Sequence, residues 1–227
     1  MIASRRLLLS KAWFLGLGAL PWPVIASASD VAFGEGSPTV FTAYRNGSRL
    51  GFHRIDYSKD EDRLIADIEI AFDVKLAFIP VYRYRHRNRE VWQAGQLISL
   101  ETETDDNGED HKVSAVRKEG RILVDGSEGR LDLPGDSQTT SYWNEASIER
   151  GQWIDTQSGK LVRSAVTKKP PEPVLVEGRN LEATRYDLDG DITCNLWYTD
   201  GRWVKLLFVT EDGSEIEYTI DASQQAG

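Results

Sequence analysis

The chain of 227 residues carries 27 basic and 36 acidic side chains, for a formal net charge of −9 and a pI of about 4.9. That balance leaves no uniform basic patch and argues against nucleic acid or an anionic lipid surface as the partner. One cysteine, Cys194, rules out an intramolecular disulfide, and the length suits one domain, or two small ones, with a core that needs no staple.

Residues 1–28 read as an export address. Arg5 and Arg6 precede an apolar run from Ala12 to Leu20, and Ala26-Ser27-Ala28 supplies the small residues that a signal peptidase requires ahead of its cut. The run is shorter than the about 20 residues of a membrane span and contains Gly16 and Gly18, with Pro21 and Pro23 just beyond. It therefore predicts cleavage after Ala28 and no stable span afterwards. The arginine pair resembles a twin-arginine export signal, with Leu8 where that signal has Phe; an ordinary secretory signal with a basic end is the alternative. Either route predicts a periplasmic protein. Removing the segment takes away three basic residues and no acid, leaving 24 basic against 36 acidic residues and a net charge of −12.

Residues 29–38 are small and polar with Gly and Pro, and predict a flexible leader. From Val40 onward the hydrophobic period is two almost everywhere, the mark of half-buried strands. Val40–Arg45 and Arg49–Tyr57 flank Asn46-Gly47, a hairpin signal because both turn residues tolerate positive φ. Leu64–Leu76 puts Leu64, Ala66, Ile68, Ile70, Phe72, Val74 and Leu76 on one face and Arg63, Asp67, Glu69, Asp73 and Lys75 on the other. A strand of that length must curve, as in a rolled sheet. Val81–Trp92 carries Arg83, Arg85, Arg87 and Arg89 on one face, with Tyr82, Tyr84, His86, Asn88, Glu90 and Trp92 on the other. Leu97–Asp105, His111–Lys118, Arg121–Val124 and Arg130–Leu133 follow as further strands.

The alternation then breaks once, over Thr140–Arg150. Ser141 as cap, Glu145 in the first turn and Gly151 as stop predict one short helix over Tyr142–Arg150. Strands resume at Trp153–Thr156 and Leu161–Lys168. Pro170, Pro171 and Pro173 form a stiff connector, and a meander of Val174–Val176, Glu182–Leu188, Asp191–Tyr198, Arg202–Thr210 and Ser214–Ile220 completes the domain over residues 39–222. The connector could divide two lobes, but neither half offers a closed core of its own. The pattern predicts an all-β protein: a single antiparallel sheet of about twelve strands, rolled into a half-barrel or β-roll, with a disordered tail at 223–227.

The arginine face is expected to pair with the acidic faces of the strands on either side, setting register on a solvent face rather than forming an anion site. On the opposite face, Tyr82, Tyr84, His86 and Trp92 line the concave side, where Asn88 and Glu90 can take the polar ends of the rings. That face reads as a core with a satisfied polar pocket, or else as a ligand cavity. Glu103–Gly108 begins like a calcium loop but has Ser114 where the bidentate Glu belongs, so a plain hairpin turn is expected. His53, His86 and His111 have no metal-ligand spacing, and no nucleophile motif accompanies them. Cys194 alternates in phase with Ile192 and Leu196 and is expected in the core. Tyr142, Trp143 and Asn144 at the lone helix start are expected to plug the open end of the roll; gating a cavity there is the other reading. No catalytic residue, metal or cofactor is expected.

The stretches Phe78–Tyr84, His86–Trp92, Thr104–Gly108, Thr140–Asn144, Asp155–Gly159 and Leu196–Tyr198 resemble a family of exported proteobacterial proteins known only as a domain of unknown function. That family is distantly similar to a larger exported, β-rich family that also lacks an assigned role. The resemblance spans nearly the whole chain after residue 28. It implies a Gram-negative envelope and a rolled antiparallel sheet, and it transfers no catalytic residue. The functional expectation is non-catalytic binding of an apolar or amphipathic envelope ligand. A protein-interaction or structural module of the envelope is the alternative, and a hydrolase-like enzyme a distant third. Candidate contacts for ligand or partner are Tyr82, Tyr84, His86, Trp92, Tyr142, Trp143 and Asn144.

Overall fold

The computed structural model describes residues 37–76 and 79–221. Residues 1–28, read above as an export address, most of the expected leader and the expected tail lie outside the described residues. Within them run β1 (Thr39–Arg45), β2 (Ser48–Asp60), β3 (Arg63–Leu76), β4 (Ile79–Gln93), β5 (Gln96–Asp106), β6 (Glu109–Lys118), β7 (Arg121–Gly126), β8 (Gly129–Pro134) and the two-residue β9 (Gln138–Thr139). A single helical turn, α1 (Glu145–Ile148), is followed by β10 (Gln152–Ile154), β11 (Leu161–Lys168), β12 (Glu172–Val176), β13 (Arg179–Gly190), β14 (Cys194–Thr199), β15 (Arg202–Val209) and β16 (Glu215–Thr219).

All sixteen strands belong to one sheet. β1 to β8 form an unbroken antiparallel meander, and β13 to β16 form a second. Pairing of β1 with β16 joins the two, with Thr42 opposite Thr219 and Ala43 opposite Tyr218. The turn signals act where the alternation placed them: Asn46 and Gly47 take φ of 48° and 76° between β1 and β2. Asn107 and Gly108 turn β5 into β6, and the Asp105 side chain accepts the Gly108 N–H at 2.8 Å.

The strand count exceeds the expected dozen, and two local expectations, the helix with its cap and the all-antiparallel pairing, need correction. The helix is four residues long rather than nine, and its N-cap is Asn144, whose side chain accepts from the Ala146 N–H at 3.1 Å. Ser141 is not free to cap, because its hydroxyl donates to Glu90 in the interior. The strands are not all antiparallel: β9 runs parallel to β10, Gln138 opposite Trp153. The proline connector divides nothing. β11 and β12 lie end to end along the same edge of β13, with Lys168 opposite Tyr186 and Glu172 opposite Ala183. Pro170 and Pro171, which have no N–H to offer, interrupt what is in effect one strand path.

The inner faces of the strands share one core. Phe41, Ile55, Leu97, Leu100, Ile122, Trp153, Tyr186, Leu196 and Tyr198 are among its most deeply buried members. Cys194 belongs to it, and burial pushes its thiol up to about 12, so it acts as a small apolar group.

Candidate functional site

Alternation along β4 sends Tyr84, His86, Asn88, Glu90 and Trp92 inward, and the bulge between Val91 and Trp92 adjusts the register at its far end. Three of these inward residues are polar, so each needs a partner inside the roll. Most of the partners come from one stretch of chain, residues 137–160, which crosses the interior between β8 and β11.

Glu90 is the centre of the first cluster and is fully buried. Its Oε2 accepts the indole N–H of Trp92 and that of Trp143, each at 2.9 Å. Its Oε1 accepts the Asn88 amide at 3.1 Å and the Ser141 hydroxyl. Four donors converge on one carboxyl group, an arrangement that suits a carboxylate, which offers only lone pairs. Glu90 forms no ion pair among the described residues, so these dipoles replace a counter-charge. The Trp92 and Trp143 rings meet edge to face at 5.6 Å, and Tyr57 meets Trp143 at 6.0 Å. Trp143 is 4 % exposed and lies inside the roll rather than at its surface. Tyr142, held at a φ of 59°, packs edge-on against Trp153 and Trp203, and its carbonyl accepts the Tyr198 hydroxyl at 2.7 Å. Asn144 is spent on capping α1.

The second cluster lies toward the other end of β4. The Tyr84 hydroxyl donates to Gln157 at 3.0 Å; Gln157 in turn donates to Asp106 at 3.2 Å, and Asp106 also accepts the Tyr82 hydroxyl at 2.8 Å. His86 bonds Thr104 through Nδ1 at 2.7 Å. The loop that carries Gln157 is tied down by the Thr102 hydroxyl, which donates to the Thr156 carbonyl at 2.8 Å. It passes so close to β7 that a Cβ on Gly126 would stand 2.5 Å from the Ser158 carbonyl oxygen, which explains a glycine at that point.

The seven candidate contacts therefore divide. Trp92 and Trp143 meet on Glu90, with Tyr142 beside them and Asn144 at the helix. Tyr82, Tyr84 and His86 form a separate group, with Tyr82 and Trp92 about 33 Å apart at the usual rise of a strand. Ser141, Thr104, Asp106 and Gln157 complete the two clusters, and their roles were not legible beforehand. Asp106 and Gln157 sit in or beside turns, where polar residues are expected for ordinary reasons.

One further buried group stands apart. His53 of β2 is 4 % exposed, boxed by Phe41, Trp203 and Tyr218 at ring distances of 5.3–5.9 Å, and neither of its nitrogens has a hydrogen-bond partner among the described residues. Burial pushes its pKa down to about 3, with His86 nearby adding to the effect. Burial also lowers His86, to about 4.

The outer face of the same strands is charged. Arg83 pairs with Asp105, Arg85 with Asp73 at 2.8 Å and Arg89 with Asp67 at 2.7 Å. Lys112 pairs with Glu103 at 2.7 Å. Arg87 lies between Glu69 and Glu103 in register but forms no ion pair among the described residues. A hollow opens here. It measures about 1000 Å³ over Asp67, Arg87, Arg89, Glu101, Lys112 and Asp125, and a smaller one of about 490 Å³ continues over Arg85 and Asp105.

A single rolled sheet filled by its own chain is the class this geometry defines. The chain belongs to a family described as a domain of unknown function (DUF6134), whose pattern matches residues 41–221. Among solved structures it is similar to a β-barrel-like protein of another domain of unknown function, DUF1849, from Brucella abortus. The two share 12 % identity with a TM-score of 0.58, over 80 % of this chain and 94 % of that one. At that identity the likeness speaks for the fold alone. No curated protein matches the sequence.

Proposed function

We propose that this chain is an exported, non-catalytic module of a Gram-negative envelope that holds a protein partner on its charged outer face. The reading rests above all on the filled interior. Residues 137–160 occupy space that an apolar ligand would need, and Ser141 and Trp143 of this stretch donate to the buried Glu90. An apolar or amphipathic ligand inside the roll would have to displace Trp143 and strand the Glu90 carboxyl. The outer hollow needs no such rearrangement, and its mixed charges favour a polar protein surface over a lipid tail. The export address of residues 1–28 supports the envelope location.

One experiment tests all parts. The chain is cross-linked in intact cells of its host through a photoreactive residue at Ser114, then analysed by native mass spectrometry. The expected result is a chain beginning at Ser29, free of lipid, with a protein adduct that Arg87→Glu abolishes. A stoichiometric lipid adduct would return the reading to an interior ligand, and an intact residue 1–28 in the membrane fraction would overturn export.

A further inference from the structure

On the outer face of β3 to β7 one cross-strand row is apolar, and its acidic flank, with Asp67, Glu101 and Asp125, is shared with the charged hollow, so a second copy seated here would cover part of the surface proposed above for a partner. Ile65 lies opposite Val91, Val91 opposite Ser99, Ser99 opposite Val116 and Val116 opposite Leu123. Val116 is 53 % and Leu123 38 % exposed; Ile65 and Val91 are half-buried, and none of the four belongs to the core or packs against it. Their neighbours along the chain, such as Ala66, Ala115 and Ile122, point inward and are buried. The row is thus a contiguous apolar stripe with charged residues on both flanks.

The two flanks carry opposite signs, and they do so in a self-complementary order. On β3 the outward residues run Arg63, Ile65, Asp67; on β7 they run Arg121, Leu123, Asp125. Each apolar residue has a cation two places before it and an acid two places after it. Lys118 adds to the basic flank beside Arg121, and Glu101 adds to the acidic flank beside Arg89. Arg63, Lys118 and Glu101 form no ion pair among the described residues.

We propose that this stripe is a self-association face on which a second copy of the chain packs about a two-fold axis running along the row. That axis lays Ile65, Val91, Val116 and Leu123 on their own counterparts. It also exchanges the flanks, so that Arg63 of one copy faces Asp67 of the other and Arg121 faces Asp125, each contact occurring twice. An axis perpendicular to the row within the face would set like charges together and is disfavoured. Five strands at about 4.8 Å and three outward rows at about 6.8 Å cover roughly 500 Å² per copy. The total, roughly 1,000 Å², lies at the lower bound for a specific interface and fits a dimer that forms and separates with concentration.

The test is sedimentation velocity of the chain as purified from its host, from about 1 to about 200 µM, a range that brackets weak association. The wild type is expected to shift from monomer to dimer across that range. Val116→Glu, at an exposed position, should leave the dichroism spectrum unchanged and hold the protein monomeric. Arg63→Asp should weaken the dimer by about tenfold or more, as for like charges brought face to face. Adding Asp67→Arg to it should restore association, because the pair is then reversed rather than lost. A wild type that stays monomeric throughout, a dimer indifferent to Val116→Glu, or a double variant no better than Arg63→Asp would each overturn the proposal.

Discussion

The two faces of β4 lie on the same residues' backbone, yet they obey different physics. Outward, Arg83, Arg85 and Arg89 reach carboxylates on the neighbouring strands through about half-exposed side chains. Inward, Glu90 meets no cation among the described residues and is held by two indoles, a hydroxyl and an amide at full burial. Water screens the outer pairs, so each is worth under about 1 kcal/mol and can be exchanged. Nothing screens the inner network, and each buried donor left without an acceptor costs about 1–3 kcal/mol. The charge-rich face sets register; the charge-poor face sets stability.

The comparison breaks most visibly at Trp143. Trp143→Ala removes a buried ring and one of the two indoles on Glu90 Oε2, and should cost about 3–5 kcal/mol in denaturant unfolding. Trp143→Phe keeps most of the ring but loses the N–H, and should cost about 1–2 kcal/mol. If the denaturation midpoint does not move in Trp143→Ala, the plug is not what holds residues 137–160 inside the roll.

How far the sequence reached follows the same division between the faces. The strands and their two faces were readable because side chains alternate with a period of two. The charge partners of β4 were readable because β3 and β5 precede and follow it directly, so their pairing is local in sequence. Glu90 was a visible oddity, an acid in phase with Trp92 and His86. Its partners Ser141 and Trp143 are about fifty positions away, and no local pattern announces which loop folds inward. Ser141 also fits a helix cap, and only tertiary structure decides between the two uses of one hydroxyl. The two-residue β9 and the end-to-end placement of β11 and β12 were likewise invisible, because they are defined by what they pair with.

Histidine sharpens the inner half of the comparison through pH. His53 and His86 are held neutral, with pKa values lowered by burial to about 3 and about 4. Because the unfolded chain takes up protons near pH 6.5 and the folded chain does not, stability is full above that pH and falls as the pH drops toward 4. Each such histidine contributes a slope of about 1.4 kcal/mol per pH unit. Replacing His53 by Phe, in a box already made by Phe41, Trp203 and Tyr218, should leave stability at pH 7.5 equal or higher, since no hydrogen bond is lost. Between pH 6 and 4 the variant's stability should decline less steeply by about that slope. Parallel curves for variant and wild type would show that His53 does not titrate as a buried neutral group.

The smallest effect belongs to Arg87, and its smallness is the point. Arg87 sits in the same ladder as Arg85 and Arg89 and faces the same acidic strands, but it forms no ion pair among the described residues. An exposed arginine without a fixed partner contributes within about 0.5 kcal/mol of nothing to folding, whereas Arg89→Gln, which breaks the pair with Asp67, should cost up to about 1 kcal/mol. Ordinary register-setting would treat the two arginines alike, and a ladder that exists only to align strands has no reason to leave its middle rung open. Arg87→Gln should therefore be silent in thermal and denaturant unfolding while weakening capture of the outer-face partner. If it destabilises the fold as much as Arg89→Gln, then Arg87 is one more cross-strand link, and the case for the charged hollow as a contact surface loses its best residue.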